Sequence, residues 1–317
     1  MSNPIRWRVR RLAAIALTAA LVTAGCGAER ADEPSAPKTS EKQFPVTVTP
    51  PAGEPLTIAK RPERIVSLSA SNTETLYAVG AGDQVVAVDD QSNYPAEAPK
   101  TDLSGLTPNV EAIAGYDPDL VVISDDADNL VASLEKLDRQ VLVVPAATSL
   151  DDVYAGIELI GAATGHADDG KDLAARTKGD IEKLAGDAPK LKQPLTYYHE
   201  LDTTLYSATS KTFIGQVYGL FGLTNIADPA DKDSGGYPQL SNEFILKANP
   251  DLVFLADTKC CKQNADTVAK RPGWANLTAV KDGNVVALDD DLASRWGPRV
   301  ADLARSVADA VSKATSN

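Results

Sequence analysis

Two histidines, three cysteines and one methionine in 317 residues leave little from which to build metal or thiol chemistry. His166 and His199 are too few for a zinc or manganese site, which gathers three or four nitrogen, sulfur or carboxylate donors. A Ser-His-Asp triad would have to use His199, and nothing near it reads as an activated nucleophile. No Gly-x-Ser-x-Gly elbow is present. Gly165-His-Ala-Asp-Asp-Gly-Lys171 nearly spells a phosphate loop, but Asp172 stands where a hydroxyl must reach magnesium. Basic charge is also short: 31 Lys and Arg stand against 44 Asp and Glu, a net −13. Such a surface lacks the basic patches that nucleic acid requires. Aromatic residues make up 5% of the chain, so its cores are aliphatic.

The N-terminus reads as a processing signal. Arg6, Arg8, Arg10 and Arg11 precede an apolar stretch, residues 12–22, that is too short to span a bilayer comfortably. It ends in Val22-Thr-Ala-Gly-Cys26, small residues before a cysteine as in a bacterial lipobox. The expectation is cleavage after Gly25 and lipidation of Cys26, with an ordinary signal peptide as the alternative. Removing residues 1–25 takes away four arginines and no acids, which moves the charge to −17. Residues 26–43, rich in Ala, Pro, Glu, Lys and Ser, read as a disordered tether. Cys260 and Cys261 are then the remaining cysteines, adjacent in an exported setting. They form either a vicinal disulfide or two free thiols, and a disulfide framework is excluded.

The rest of the chain is organised by a repeat. Glu111-Ala-Ile-Ala-Gly-Tyr-Asp-Pro-Asp-Leu-Val-Val-Ile123 lies over Glu243-Phe-Ile-Leu-Lys-Ala-Asn-Pro-Asp-Leu-Val-Phe-Leu255, 132 residues on. Each copy predicts a short helix stopped before a proline, then a buried strand. Upstream, residues 65–67 and 196–198 read as strands, each followed by a helix ending near Gly80 or Gly222; downstream, 141–144 and 285–288 are strands again. Residues 44–49 and 56–58 suggest an opening hairpin. Between the halves, Val153, Ile157 and Ile160 share a helical face, as do Leu173, Ile181 and Leu184, with a break at Thr164-Gly-His166. The spacing predicts an α/β protein of two similar lobes, 44–149 and 191–317, joined through helices at 150–190. The second of these helices, about 30 Å long, acts as a stiff strut. A cleft between lobes is a usual place for a small ligand.

Ile65-Val-Ser-Leu-Ser-Ala-Ser-Asn-Thr-Glu74, Asn93-Tyr-Pro95, Asn109-Val-Glu111, Asp117-Pro-Asp-Leu-Val, Ser241-Asn-Glu243 and Arg295-Trp-Gly-Pro-Arg299 follow one another in order. Together they resemble the substrate-binding lipoproteins of ABC importers for iron–siderophores, haem and cobalamin, over about residues 60–315. The resemblance implies an extracytoplasmic monomer, anchored by lipid to the outer face of the cell membrane. It captures a small metal chelate and passes it to a permease dimer with its ATPases. It implies no catalysis, no resident metal and no cofactor. An iron(III)–siderophore is the expected cargo, with cobalamin second and haem third. A lipid-anchored hydrolase or a surface interaction protein is the reading from a different class.

The resemblance also implies roles for residues. Glu111 and Glu243 would dock onto permease arginines, one per lobe; first-turn carboxylates behind the N-caps Asn109 and Ser241 explain the same acids without a partner. Gln91, Asp125, His199, Tyr237, Asp291, Arg295 and Trp296 fall around the cleft. Cobalamin-binding relatives tend to place aromatic rings where this chain has Gln91, Gly105 and Asp125. Arg295 and Trp296 could pair with and stack on a ligand, or Trp296 could pack at the start of the last helix. His199 is expected as a polar wall of the pocket, with a haem axial role as the alternative. Asn72 is expected as an N-cap and Glu74 as a first-turn carboxylate.

Overall fold

Leu120–Ile123 and Leu252–Leu255, the apolar runs of the repeat, are strands with every residue buried. Continuous burial of this kind belongs to parallel sheets covered on both faces. The computed structural model describes residues 44–51 and 53–316. The signal at 1–25, Cys26 and the tether at 26–43 lie outside the described residues. A short antiparallel hairpin, β1 (Val46–Val48) and β2 (Leu56–Ile58), opens the chain. The first lobe follows as β3 (Ile65–Ser67), α1 (Ala70–Ala78), β4 (Val85–Val88), α2 (Val110–Ala114), β5 (Leu120–Ile123), α3 (Leu130–Glu135) and β6 (Gln140–Val143). Its sheet is wholly parallel, in the order β4-β3-β5-β6.

Two helices connect the lobes, α4 (Leu150–Thr164) and α5 (Ala167–Asp187). The second lobe runs β7 (Thr196–Glu200), α6 (Phe213–Gly219), β8 (Thr224–Asn225), α7 (Asn242–Ala248), β9 (Leu252–Leu255), α8 (Ala265–Ala269), α9 (Thr278–Lys281) and β10 (Val285–Ala287). Its sheet order, β8-β7-β9-β10, repeats that of the first lobe strand for strand, again parallel throughout. The chain closes with α10 (Asp290–Ser294) and α11 (Val300–Ser316).

Alternation along the strands sends side chains into two layers of each lobe. In the first lobe Ile65, Leu120 and Val122 pack with Leu76 of α1 and with Val153, Ile157 and Ile160 of α4. Val66, Val121 and Ile123 instead meet Ile113 of α2 and Leu130 and Leu134 of α3. In the second lobe Tyr197 and Phe254 pack toward α6 and α11, while Tyr198 and Val253 face Ile245 and Trp274. The layers against α4, α5, α6 and α11 merge into one core that passes through both lobes.

The strut is therefore not a single helix in isolation. Gly165, at φ +85°, ends α4 in the left-handed region that glycine tolerates best, and α5 turns back along α4. The two come so close at Gly161 and Gly170 that a methyl group on Gly161 would lie 2.9 Å from the Gly170 Cα. α5 has 21 residues, roughly 31 Å of rise at 1.5 Å each, and α11 packs along it. A backbone pair clamped on both sides resists bending more than a lone crossover would.

Candidate ligand-binding cleft

In both sheets the loops that leave the carboxyl ends of the strands meet between the lobes, the position where open α/β sheets bind ligands. Side-chain hydrogen bonds cross this seam at several points. Asn93 donates to the Asp291 carboxylate at 3.2 Å, and Arg295 donates to the Gln91 carbonyl at 2.9 Å. The Trp296 amide donates to the Ser71 hydroxyl at 3.2 Å, and Gln216 to the Thr148 carbonyl at 2.6 Å.

The strongest tie is ionic. Glu74 is buried on α1, with Arg295 Nη1 2.7 Å from its Oε1 and Arg299 Nε 2.8 Å from its Oε2; Arg299 Nη2 also donates to Oε1. Arg295 makes a further bond to Asp291 at 3.0 Å, and the Arg299 guanidinium lies 4.0 Å from the centre of the Tyr94 ring. The expected first-turn role of Glu74 is thus corrected. It is the centre of an Arg-Glu-Arg triad that pins the segment before α11 to the first lobe. Asn72 is corrected too: Ser69 holds the N-cap position of α1, and the Asn72 amide donates to the Ile123 and Val144 carbonyls at the ends of β5 and β6.

Six of the seven residues expected around the cleft separate into three groups. Gln91, Asp291, Arg295 and Trp296 come together at the seam. Arg295 is 9% exposed and its donors are engaged by protein groups. Trp296 packs partly buried against the common core, and its buried indole N–H has no partner among the described residues. Tyr237 stands apart, 44% exposed on the loop after β8. Asp125 lies elsewhere again, in a groove of about 590 Å³ between the β1–β2 hairpin and edge strand β6, beside Glu54, Asp126 and Glu135.

His199 does not form a pocket wall. It is fully buried on β7, its Nδ1 is 2.8 Å from the Tyr218 hydroxyl, and burial pushes its pKa down to about 4. The ring is neutral at physiological pH, and solvent does not reach it. Its burial in the sheet thus corrects the pocket position that the resemblance implied.

Glu111 and Glu243 are exposed in the first turns of α2 and α7, and neither makes an ion pair with another described residue. Asn109 Oδ1 accepts from the Ala112 amide at 2.9 Å, and Ser241 Oγ from the Phe244 amide at 3.1 Å, so both N-caps stand as expected. Each helix enters from a strand's carboxyl end, which puts both acids on the cleft side of their sheets.

Two cleft-side residues were not singled out from the sequence. Leu106 (83% exposed) projects from the loop after β4 and Tyr206 (40%) from the loop after β7, whereas Tyr94 lies against Arg299 in a groove lined by α5 and α11. Tyr206 bridges antiparallel to Gln239, which ties the Tyr206 and Tyr237 loops into one ribbon. Large apolar side chains left exposed on binding-side loops are the usual signal of a contact surface, but from sequence alone they resemble loop residues. Cys260 and Cys261 are joined as a vicinal disulfide, on the loop between β9 and α8.

Two duplicate α/β lobes with a common helical core, and a seam at their strand ends lined with polar and aromatic groups, define a solute-binding receptor of the rigid, two-lobed kind. Residues 65–292 match the family model described as periplasmic binding protein, and the chain belongs to that family. An uncharacterized ABC transporter substrate-binding lipoprotein of Bacillus subtilis is 33% identical, over 93% of this chain and 94% of its own length. The cobalamin-binding protein of Halobacterium salinarum is also 33% identical, over 98% of this chain and 86% of its own. Among solved structures, the periplasmic vitamin B12 binding protein of Vibrio cholerae superposes with a TM-score of 0.67 at 27% identity, covering 81% of this chain and 99% of that one. The chain is accordingly an extracytoplasmic substrate-binding protein of the ABC-importer class and not an enzyme. Among the described residues no helix is long and apolar enough to cross a membrane.

Proposed function

We propose that this receptor, anchored through a lipid on Cys26 and acting as a monomer, captures a corrinoid between its lobes and delivers it to the permease through Glu111 and Glu243. The observation that carries the cargo is the pair of exposed tyrosines, Tyr206 and Tyr237, joined in one ribbon on loops at the strand ends. Aromatic faces of this kind bury a large macrocycle at small entropic cost. The Halobacterium relative, named for cobalamin and matched over nearly the whole chain, supports the same cargo. This order reverses the expectation from the motifs, which put an iron(III)–siderophore first. A ferric siderophore is the second reading, favoured by the exposed polar Gln91 on the seam loop.

Capture proceeds with little lobe rotation, because the core shared through α4, α5, α6 and α11 would have to shear for wide opening. Isothermal titration with cyanocobalamin, haem and a ferric hydroxamate decides the cargo. Cyanocobalamin is expected to bind at micromolar concentration or below. Binding of the ferric hydroxamate while cyanocobalamin is silent would hand the site to the second reading.

A further inference from the structure

Beneath the disulfide loop lies a buried charge cluster. Asp257, at the end of β9, is fully buried, and neither carboxylate oxygen has a hydrogen-bond partner among the described residues. Its carboxyl faces that of Glu200, at the end of β7 and also fully buried. Glu200 is taken by Arg271, which follows α8, through two bonds of 2.6 Å. The Tyr198 hydroxyl, one strand position pair back on β7, is buried without a partner as well. Two acids therefore lie together in a space closed to water, with the one nearby guanidinium bonded to Glu200 alone of the pair. Such a pair holds one proton between its carboxyls when it can.

The loop above depends on the same residue. The Cys261 and Gln263 amides donate to the Asp257 carbonyl at 3.2 and 3.3 Å, and the Gln263 side chain accepts from Arg271 at 2.7 Å. From there the loop reaches the cleft. Lys259 binds Asp289 at 2.8 Å and Asp291 at 2.7 Å, and the Lys259 and Cys260 amides donate to Asp290. Asp291 is the residue that Asn93 and Arg295 meet at the seam.

We propose that Asp257 and Glu200 form a proton-sharing pair that works as a pH-sensitive latch on the disulfide loop, residues 257–263, at the rim of the cleft. With the proton present, Asp257 donates to Glu200 and the loop stays docked. When the proton leaves to solvent, two buried carboxylates oppose each other, and the loop lifts to hydrate them. Lys259 then leaves Asp291, so the state of the pair reaches the seam. Burial, followed by the Glu200 charge, pushes the Asp257 carboxyl up to about 7, which puts the change within the range that the outside of a cell experiences.

Hydrogen–deuterium exchange on the full-length protein in detergent tests this, at pH 5.5 and 8.0 with each set corrected for intrinsic exchange. Protection of a peptide covering 257–264 is expected to fall at least tenfold at the higher pH, while a peptide within 300–316 holds. Asp257→Asn, which keeps the shape and cannot ionise, is expected to stay protected at both pH values. If that variant does not fold, Asp257→Ala serves, since it also lacks the charge. Protection in the wild type that ignores pH, a loss that persists in the uncharged variant, or parallel loss in both peptides would each overturn the latch.

Discussion

The carboxylate of Glu74 and the guanidinium of Arg295, 221 residues apart in the chain, lie 2.7 Å from each other and are almost wholly buried. With Arg299 they join the first helix of one lobe to the segment that leads out of the other. Removing one member of a buried ion pair costs more than the pair itself contributes, because the partner charge is left uncompensated.

Glu74→Gln should therefore lower unfolding free energy by about 3–5 kcal/mol, the range for breaking such a pair. Chemical denaturation reads it directly. A loss under about 1 kcal/mol, the scale of exposed pairs, would mean that the triad is solvated in solution.

The tyrosines make a prediction of the opposite kind. Tyr206→Ala and Tyr237→Ala remove rings that are 40% and 44% exposed, so stability should hardly change. Cyanocobalamin affinity should fall by about 0.5–1.5 kcal/mol for each, the range of one aromatic contact. Unchanged affinity in both variants would move the cargo off this ribbon.

Most of the frame that positions these residues could be read from the sequence. The repeat around Glu111 and Glu243 gave the duplicate lobes, because a helix stop before proline and an apolar strand are local signals. Asn109, Ser241 and Gly165 were legible for the same reason. Glu74 and Asn72 were not, since a polar residue near a helix start looks like a cap until its distant partner is known. Arg295 supplies that partner for Glu74, and the Ile123 and Val144 carbonyls supply it for Asn72. His199 misled in a related way: Thr196–Glu200 gives no sign that its polar half is roofed over by α6. Asp125 follows a strand end as cleft residues do, but the β1–β2 hairpin claims its surroundings.

His199 gives a pH prediction. Its folded pKa of about 4 lies below the usual 6.5, so the unfolded chain takes up a proton first as pH falls. Stability from the neutral ring is full above pH 6.5 and is lost down to about pH 4, roughly 3 kcal/mol in all at 1.36 kcal/mol per unit. Asp257 works in the reverse sense over an overlapping range, since its raised pKa favours the folded state on acidification. The measurement is therefore a difference. Urea unfolding at pH 7 and 4.5 should show a smaller acid loss in His199→Gln than in the wild type, and equal losses would exclude this residue as a source.

Lipidation is tested by fractionation. Cys26→Ala should release the processed protein from membranes with cyanocobalamin affinity intact, because the described fold begins at Phe44. A variant that stays membrane-bound would rule out the lipobox.

The paired acids carry the last prediction, and the duplication explains why there are two. Glu111 and Glu243 occupy equivalent first turns, exposed, with no ion-pair partner among the described residues. Replacing either with Ala removes only a favourable interaction with a helix N-terminus, so stability should drop by no more than about 1 kcal/mol. Neither touches the seam, so cargo affinity should be unchanged. Uptake through the importer should still fall with each single change and vanish with both, since under the proposed docking one charged contact per lobe would set the body squarely across a two-subunit channel. Lysine at either position should be worse than alanine, because it would bring like charge against a permease arginine. Uptake at the wild-type rate by the double alanine variant would leave both as helix-start carboxylates with no partner.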